Sequence, residues 1–469
     1  MPIIYRFRPM RNLINKYDEL EDQELVLSSP RYMNDPLEGY QDVFWEGDEV
    51  LWENLLRHYL LNLYQEGIRF SLIADNEDLD EYAIDAKFTR GEIPTDEYRQ
   101  QFASVCQAFF EEKGFGIVPL RLTSLPKPLR RKSLEMVLLA IHSSALESVF
   151  EVLPTSGITS ETSAEVHSSE DLQAVVEMLE NLSTAMDEDT EAQWLESMAS
   201  RVNPLGSHAL LERELQNGEG LELHKKKEIF LFGSYPDRYI RAICDSLIHV
   251  NWHMLSFTTE CASPSMWAAY ANEHQGAALM FRTDKQSEES WSELTVRGRT
   301  GWKGTEPIHD EIQASLYTVD YESPPPQVNF FQFLGTLPRP KLTNAWHSTP
   351  DGEISPIVDE IFEDEDAWRE NLWDNFRNMT TKKLNQWKHE QEVRMVIPDL
   401  LGSEGPRRKV TYDLSQLEGV VFGLRTGLED RFEVMRIIQE NSQDSDSNSV
   451  DFYQMVFDGT DFKKVKLDV

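Results

Sequence analysis

The chain has 469 residues, 40% of them apolar and 27% charged, the make-up of a globular protein with room for two or three core-bearing units. Its 82 acidic residues outnumber 45 basic ones, and the net charge of -37 opposes general attraction to phosphate backbones or anionic membranes, so any nucleic-acid contact is local. Three separated cysteines (Cys106, Cys244, Cys261) form no CxxC pair, no apolar run approaches the ~20 residues of a membrane span, and the N-terminus lacks a signal-peptide layout, so composition predicts a soluble cytoplasmic protein.

In chain order, residues 3–7 read as a short strand, 12–17 as a helical turn and 24–28 as a second strand. Turn formers follow at Pro30 and from Asn34 to Gly39, where Asn34-Asp35-Pro36 fits an Asx-turn. Arg6 and Arg8 flank Phe7 and share a strand face with Ile4. Arginines so placed pair with a carboxylate or hold a phosphate.

From about residue 47 to 250 the apolar period is helical, most clearly over 131–153, where Leu134, Val137, Leu138, Ile141, Ala145 and Val149 repeat at helical spacing. Residues 95–113, 170–200 and 222–250 are similar, and the Ser/Thr-rich stretch 155–169 reads as an exposed loop. β-character returns at 253–259. Ser263 and Pro264 then start a helix expected to run through His274 and stop at Gly276, with Trp267 and Tyr270 in the core. Strands are expected at 277–281, 316–321, 409–412, 420–422, 452–457 and near Val465, helices at 357–380 and 428–439, and a polar loop at 442–449.

The segment Trp387-Lys388-His389-Glu390-Gln391-Glu392-Val393-Arg394-Met395-Val396-Ile397 ends in a β-branched run closed by Pro398 and reads as a strand. On it Glu390, Glu392 and Arg394 share one face. Two carboxylates that close raise one another's pKa unless a cation answers them. The triplet is therefore a site candidate, although a solvent-facing charge ladder has the same pattern. His249 and His253 lack the surroundings of a zinc site, no Walker loop, GxGxxG or GxSxG is present, and the acidic Glu429 and Asp430 argue against a phosphate at Gly423–Gly427.

Strands at both ends with helices between them predict an α+β protein. Residues 1–46 form the N-terminal part of a β core, 47–250 a helical insertion, and 251–469 the rest of the core with a smaller helical insertion near 340–380.

Several segments together resemble a mostly bacterial family known as domain of unknown function 2971. They are Tyr5-Arg6-Phe7-Arg8-Pro9; Leu27-Ser28-Ser29-Pro30 with Asn34-Asp35-Pro36-Leu37-Glu38; Phe257-Thr258-Thr259; Met266-Trp267-Ala268-Ala269-Tyr270 with Gly276; Lys383 with Trp387; His389 through Arg394; and Val421-Phe422-Gly423. The layout is similar to the ADP-ribosyltransferase superfamily, whose members carry an Arg or His on the first strand, a polar pair on a middle strand and Glu-x-Glu or Gln-x-Glu on a late one. The resemblance implies an ADP-ribosyltransferase-like mixed β core that uses NAD on a protein or nucleic-acid acceptor, as a toxin or antiviral defence effector. It assigns Glu392 to the ribose hydroxyl and the oxocarbenium, Glu390 to the acceptor, and Arg6 or Arg8 to the pyrophosphate. Thr258 would stand on the middle strand, and Arg394 would lock the carboxylates. The usual Ser-Thr-Ser is replaced by Phe257-Thr258-Thr259. Two rivals use the same residues: a metal-dependent nuclease with Asp35, Glu390 and Glu392 around Mg²⁺, and a non-catalytic sensor or interaction module in which the charged strand is a structural lock.

Overall fold

Period-two apolar patterns near both ends of the chain build one unit, and helical periods between them build another. The computed structural model describes residues 2–35, 37–72, 84–153, 168–183, 190, 193–195, 229–283, 292–400, 407–443 and 450–468. It divides into a first unit of Met1–Tyr40, Asn251–Pro325 and Asn375–Val469, and a second of Gln41–Val250 and Pro326–Asp374. The two helical insertions expected separately are thus parts of one unit, which also takes residues 41–46 from the expected N-terminal core.

The strands are β1 (Ile3–Arg8), β2 (Glu24–Ser28), β3 (Asp42–Trp45), β4 (Leu129–Arg130), β5 (Trp252–Thr258), β6 (Ala277–Arg282), β7 (Ser292–Lys303), β8 (Glu306–Thr318), β9 (Gln327–Asn329), β10 (Glu392–Pro398), β11 (Arg407–Thr411), β12 (Leu417–Phe422), β13 (Asp451–Phe457) and β14 (Phe462–Lys466). In the first unit they pair in the order β10-β8-β7-β11-β2-β5-β1-β6-β12-β13-β14. A further β10–β5 pairing closes the first six into a ring. Closure gives β10 partners on both sides and so removes one free edge that would otherwise invite foreign strands, while β14 ends the sheet.

Inward residues fill the ring: Leu25 and Leu27 of β2, Leu255 and Phe257 of β5, and Val393 and Met395 of β10 belong to one buried cluster. The same cluster runs under β1, β6 and β12 through Ile4, Leu279 and Val420, where the helix Leu428–Gln443 covers it with Val434, Ile437 and Ile438. The opposite face of β1 carries Tyr5 and Phe7 against Trp267 of the helix Pro264–Tyr270. Strand alternation therefore puts Ile4, Arg6 and Arg8 on the inner face and Tyr5 and Phe7 on the outer one.

That helix ends at Tyr270, four residues earlier than the sequence predicts, and Asn272, Glu273 and His274 all take positive φ. The reason is the approach of β1: a Cβ on Gly276 would lie 2.2 Å from the Arg8 carbonyl oxygen, so the chain must leave the helix and pass beneath β1 as bare backbone. The hairpin β7–β8 is also longer than the expected 316–321 strand, pairing from Ser292↔Leu316 to Lys303↔Glu306 with a register shift between Arg299 and Gly301.

The second unit packs the helices Glu49–Leu72, Arg131–Val152 and Tyr235–Ile243 around a buried aromatic core that includes Trp45, Tyr59 and Tyr235. A small sheet, β4-β3-β9, completes it. Arg131–Val152 is the one helix among the described residues long and apolar enough to cross a membrane, and most of it is buried in this core. The exposed-loop expectation at 155–169 and the basic run Lys225-Lys226-Lys227 fall largely or wholly outside the described residues.

Because backbone rather than a flexible side chain crowds Gly276, Gly276→Ala is expected to cost more than ~2 kcal/mol of unfolding free energy, read from urea denaturation. A loss under ~0.5 kcal/mol, the usual effect of a surface substitution, would show that β1 does not press on this backbone.

Candidate functional site

Glu390 and Glu392 meet, but not as neighbours along one strand. Residues Asn385–Glu390 form a 3₁₀ turn and β10 begins only at Glu392. Gln391 between them is left-handed, at φ 44°. The sequence expectation of a strand from Trp387 is corrected at this point. Both carboxylates instead converge on Lys383, whose Nζ lies 2.6 Å from Glu390 Oε2 and 3.2 Å from Glu392 Oε2.

Arg394 holds Glu392 in a two-pronged pair, Nε to Oε1 at 2.9 Å and Nη2 to Oε2 at 3.0 Å. It also donates to Glu38 Oε1 at 2.8 Å and to the Thr380 carbonyl at 2.8 Å. Glu38 Oε1 lies 3.7 Å from Lys383 Nζ. None of these five charged side chains is more than 4% exposed. Around them, Tyr270 donates its hydroxyl hydrogen to Glu390 and accepts from Asn34 Nδ2 at 3.2 Å. The Glu392 backbone N–H donates to the Tyr321 hydroxyl at 2.9 Å, and the Lys383 ammonium lies 4.8 Å from the centre of the Trp387 ring.

Three carboxylates share two cations here, so their charges cannot all be balanced alike. Burial pushes Glu38 above the usual carboxylate range, against Arg394 and with help from Glu392. Burial also works on Glu392, but Arg394 and then Lys383 outweigh it and hold this carboxyl below its ordinary value. Lys383 is raised because Glu392 and Glu390 overcome its desolvation. Tyr321 is pushed up to about 12, chiefly by burial. Of Glu38 and Glu392, Glu38 is thus the one that takes a proton more readily, and its Oε2 is buried without a hydrogen-bond partner among the described residues.

The register fixes which predicted residues share this site. Glu392 stands opposite Thr258 on β5, and Thr258 stands opposite Tyr5 on β1, so these three lie on the outer face of adjacent strands. Thr258 Oγ1 accepts the Glu260 N–H at 3.1 Å and so closes the turn after β5. Arg6 and Arg8 lie on the other face. Arg6 points inward, donates Nη2 to the Val26 carbonyl at 3.0 Å and sits 6.0 Å from the Phe257 ring centre. Burial and the neighbouring Arg8 lower its pKa to about 9. Arg8 is held by Glu19, with Nε 2.7 Å from Oε2. The expectation that Arg6 or Arg8 joins Glu392 is therefore corrected: pairing through β5 sends their side chains to opposite faces of the sheet. A pyrophosphate at Glu392 would find neither arginine.

The nuclease arrangement calls on Asp35 together with Glu390 and Glu392. Asp35 accepts the Leu37 N–H at 2.9 Å in the expected Asx-turn, and Glu390 and Glu392 are paired with Lys383 and Arg394. Among the described residues no three His, Cys, Asp or Glu side chains are gathered for a metal. At Gly423–Gly427 the Gly423 and Arg425 amides are already spent on the Gly276 and His274 carbonyls.

Spacing along the chain missed Glu38, Lys383, Tyr270 and Tyr321 as members of the cluster. The first three sit inside segments that carry the family resemblance, which was the one signal for them. Tyr270, read as core, is only partly buried and serves Glu390. No family model, curated protein or solved structure matches the chain.

Arg394→Met leaves three buried carboxylates with one ammonium and is expected to cost ~3–5 kcal/mol in urea denaturation. Glu38→Gln keeps an acceptor for Arg394 but removes the carboxyl whose pKa folding raises. Wild-type stability relative to this variant should therefore fall as pH climbs from about 4, and level off above the raised value. A flat difference across that window would place the excess proton elsewhere.

Proposed function

We propose that the first unit is an ADP-ribosyltransferase-like domain of the family named domain of unknown function 2971, acting on NAD and a protein or nucleic-acid acceptor inside the cell as a toxin or defence effector. One observation carries this reading. Segments far apart in sequence that bear the resemblance supply a single cluster: Asn34 and Glu38, Tyr270, Lys383 and Trp387, and Glu390 through Arg394. The strands to which the resemblance assigns these residues, β1, β5 and β10, also stand side by side.

Cleavage of a nicotinamide–ribose bond develops positive charge on the sugar, which a fixed carboxylate stabilises. Arg394 holds Glu392 ionised and immobile, which suits that task. Tyr270 and Lys383 orient Glu390. Arg6 and Arg8 contribute nothing to binding on this face, so the anion grip of the superfamily has no counterpart among the residues assigned to it.

A second reading has its own support. Arg394 and Lys383 together engage both oxygens of Glu392, and every charged group in the cluster is buried. Such saturation is what a structural lock in a non-catalytic interaction module needs. Glu392→Gln should destabilise the fold under either reading, so a melting curve alone does not separate them.

The separating measurement is label transfer from NAD to lysate components together with nicotinamide release, taken below the melting temperature of each variant. Transfer by the wild type, lost by at least about 100-fold in folded Glu392→Gln, is the expected outcome for a carboxylate that stabilises the developing charge. No transfer and no release by the wild type would sink the enzymatic reading and leave the lock.

A further inference from the structure

The second unit contains a cavity lined in part by Asn54, Arg57, His58, Thr89 and Arg90, and nothing in the reading of the first unit involves it. Asn54 belongs to the helix Glu49–Leu72 and is 1% exposed. Its Nδ2 donates to the Trp346 carbonyl at 2.9 Å and to the Ser348 carbonyl at 3.0 Å. Two carbonyl acceptors require the amide nitrogen there, so the opposite end of the side chain is Oδ1. That oxygen is buried and has no partner.

Arg90 converges on the same carbonyl. Its Nη2 donates to Ser348 O at 2.7 Å and also to Asn344 O. Its Nη1 is buried without a partner. Sharing the Ser348 oxygen sets the guanidinium and the amide side by side. A charged N–H donor and a neutral C=O acceptor, both without a hydrogen-bond partner, thus belong to two residues that line one cavity and share one carbonyl.

The carboxylates nearby are paired with other cations. Arg57 Nε pairs with Glu53 at 2.6 Å, and Lys341 pairs with Glu92 at 2.8 Å. Arg90 has no carboxylate partner among the described residues, in a chain with 82 acidic side chains. Burial and then the Arg57 charge lower its pKa, with the Glu53 carboxylate acting the other way, and a bound anion would relieve the repulsion from Arg57. His58 adds no charge: both ring nitrogens are engaged, by Tyr239 Oη at 2.8 Å and Ala86 O at 3.1 Å, and burial pushes its pKa down to about 3.

We propose that this cavity binds a small oxyanion that still carries a proton, hydrogen phosphate or bicarbonate. One anion oxygen accepts from Arg90 Nη1, and the anion's own O–H donates to Asn54 Oδ1. Sulfate and nitrate can meet only the arginine. Water can meet both hydrogen bonds but leaves the guanidinium charge without a counterion.

The test is calorimetric titration of the full chain near neutral pH with sodium phosphate, bicarbonate, sulfate and nitrate at matched ionic strength. Saturable binding of phosphate or bicarbonate is expected, with the arm that binds naming the anion. Sulfate and nitrate should be at least about tenfold weaker, the order of one lost hydrogen bond to a buried group. Arg90→Gln should weaken binding by at least about tenfold as well. Arg90→Lys keeps the charge and a donor for Ser348 but lacks the second N–H. It should weaken binding comparably, and it decides the matter if Arg90→Gln does not fold. No saturable binding of phosphate or bicarbonate, equal affinity for sulfate, or full affinity in folded Arg90→Lys would each overturn the proposal.

Discussion

A guanidinium with no exposed surface must be answered on every side, and Arg394 draws much of the first unit to itself for that reason. It takes a carboxylate from its own strand, another from the turn before Tyr40, and a carbonyl from the end of the helix Glu365–Thr380. Lys383 is brought in to neutralise what Arg394 leaves over. Removing either partner of a buried pair costs more than most single contacts in a core, so these segments are committed to one arrangement. The placement of β10 between β5 and β8 positions that arginine and is in turn secured by it.

The same strand pairing decides what the cluster can and cannot do. Direct cross-strand partners project to one face, and a step of one residue moves a side chain to the other. Tyr5, Thr258 and Glu392 are in register, so Arg6 is consigned to the interior. There its guanidinium reaches from β1 to the Val26 carbonyl on β2, across the point where those two strands diverge along β5. It acts as a tie between two strands of the sheet and is not presented to a ligand. A pattern of residue types along separate strands carries no information about relative register, which is why the sequence alone put Arg6 and Glu392 in one cleft.

Much of the fold was legible where the apolar period was strong. The strand at Glu24–Ser28 and the helix Arg131–Val152 fall within a residue of the expected bounds, because their apolar residues repeat cleanly. The hairpin β7–β8 was largely overlooked, since the outer half of β8 from Glu306 to Glu311 is exposed and shows no alternation. The union of the two helical insertions was equally hidden: β9, a three-residue strand, pairs with β3 across nearly 300 positions, and no local signal reports such a partner. At the site, the acidic pair and Arg394 were visible as an unusual load on a strand. Lys383 and Glu38 were not, because each is polar in a turn-like stretch and becomes significant only by whom it meets.

Four times the backbone passes between the units, and this sets an order of events during synthesis. The first two strands emerge with Leu25 and Leu27 still lacking β5, β10 and β11, which lie hundreds of residues downstream. The helical unit is likewise unfinished until β9 arrives after Pro326. Neither core can close on the growing chain before most of it has left the ribosome, and contacts of such long range form slowly. The protein must therefore carry exposed core segments through translation, and its yield in the cell depends on how well that interval is guarded.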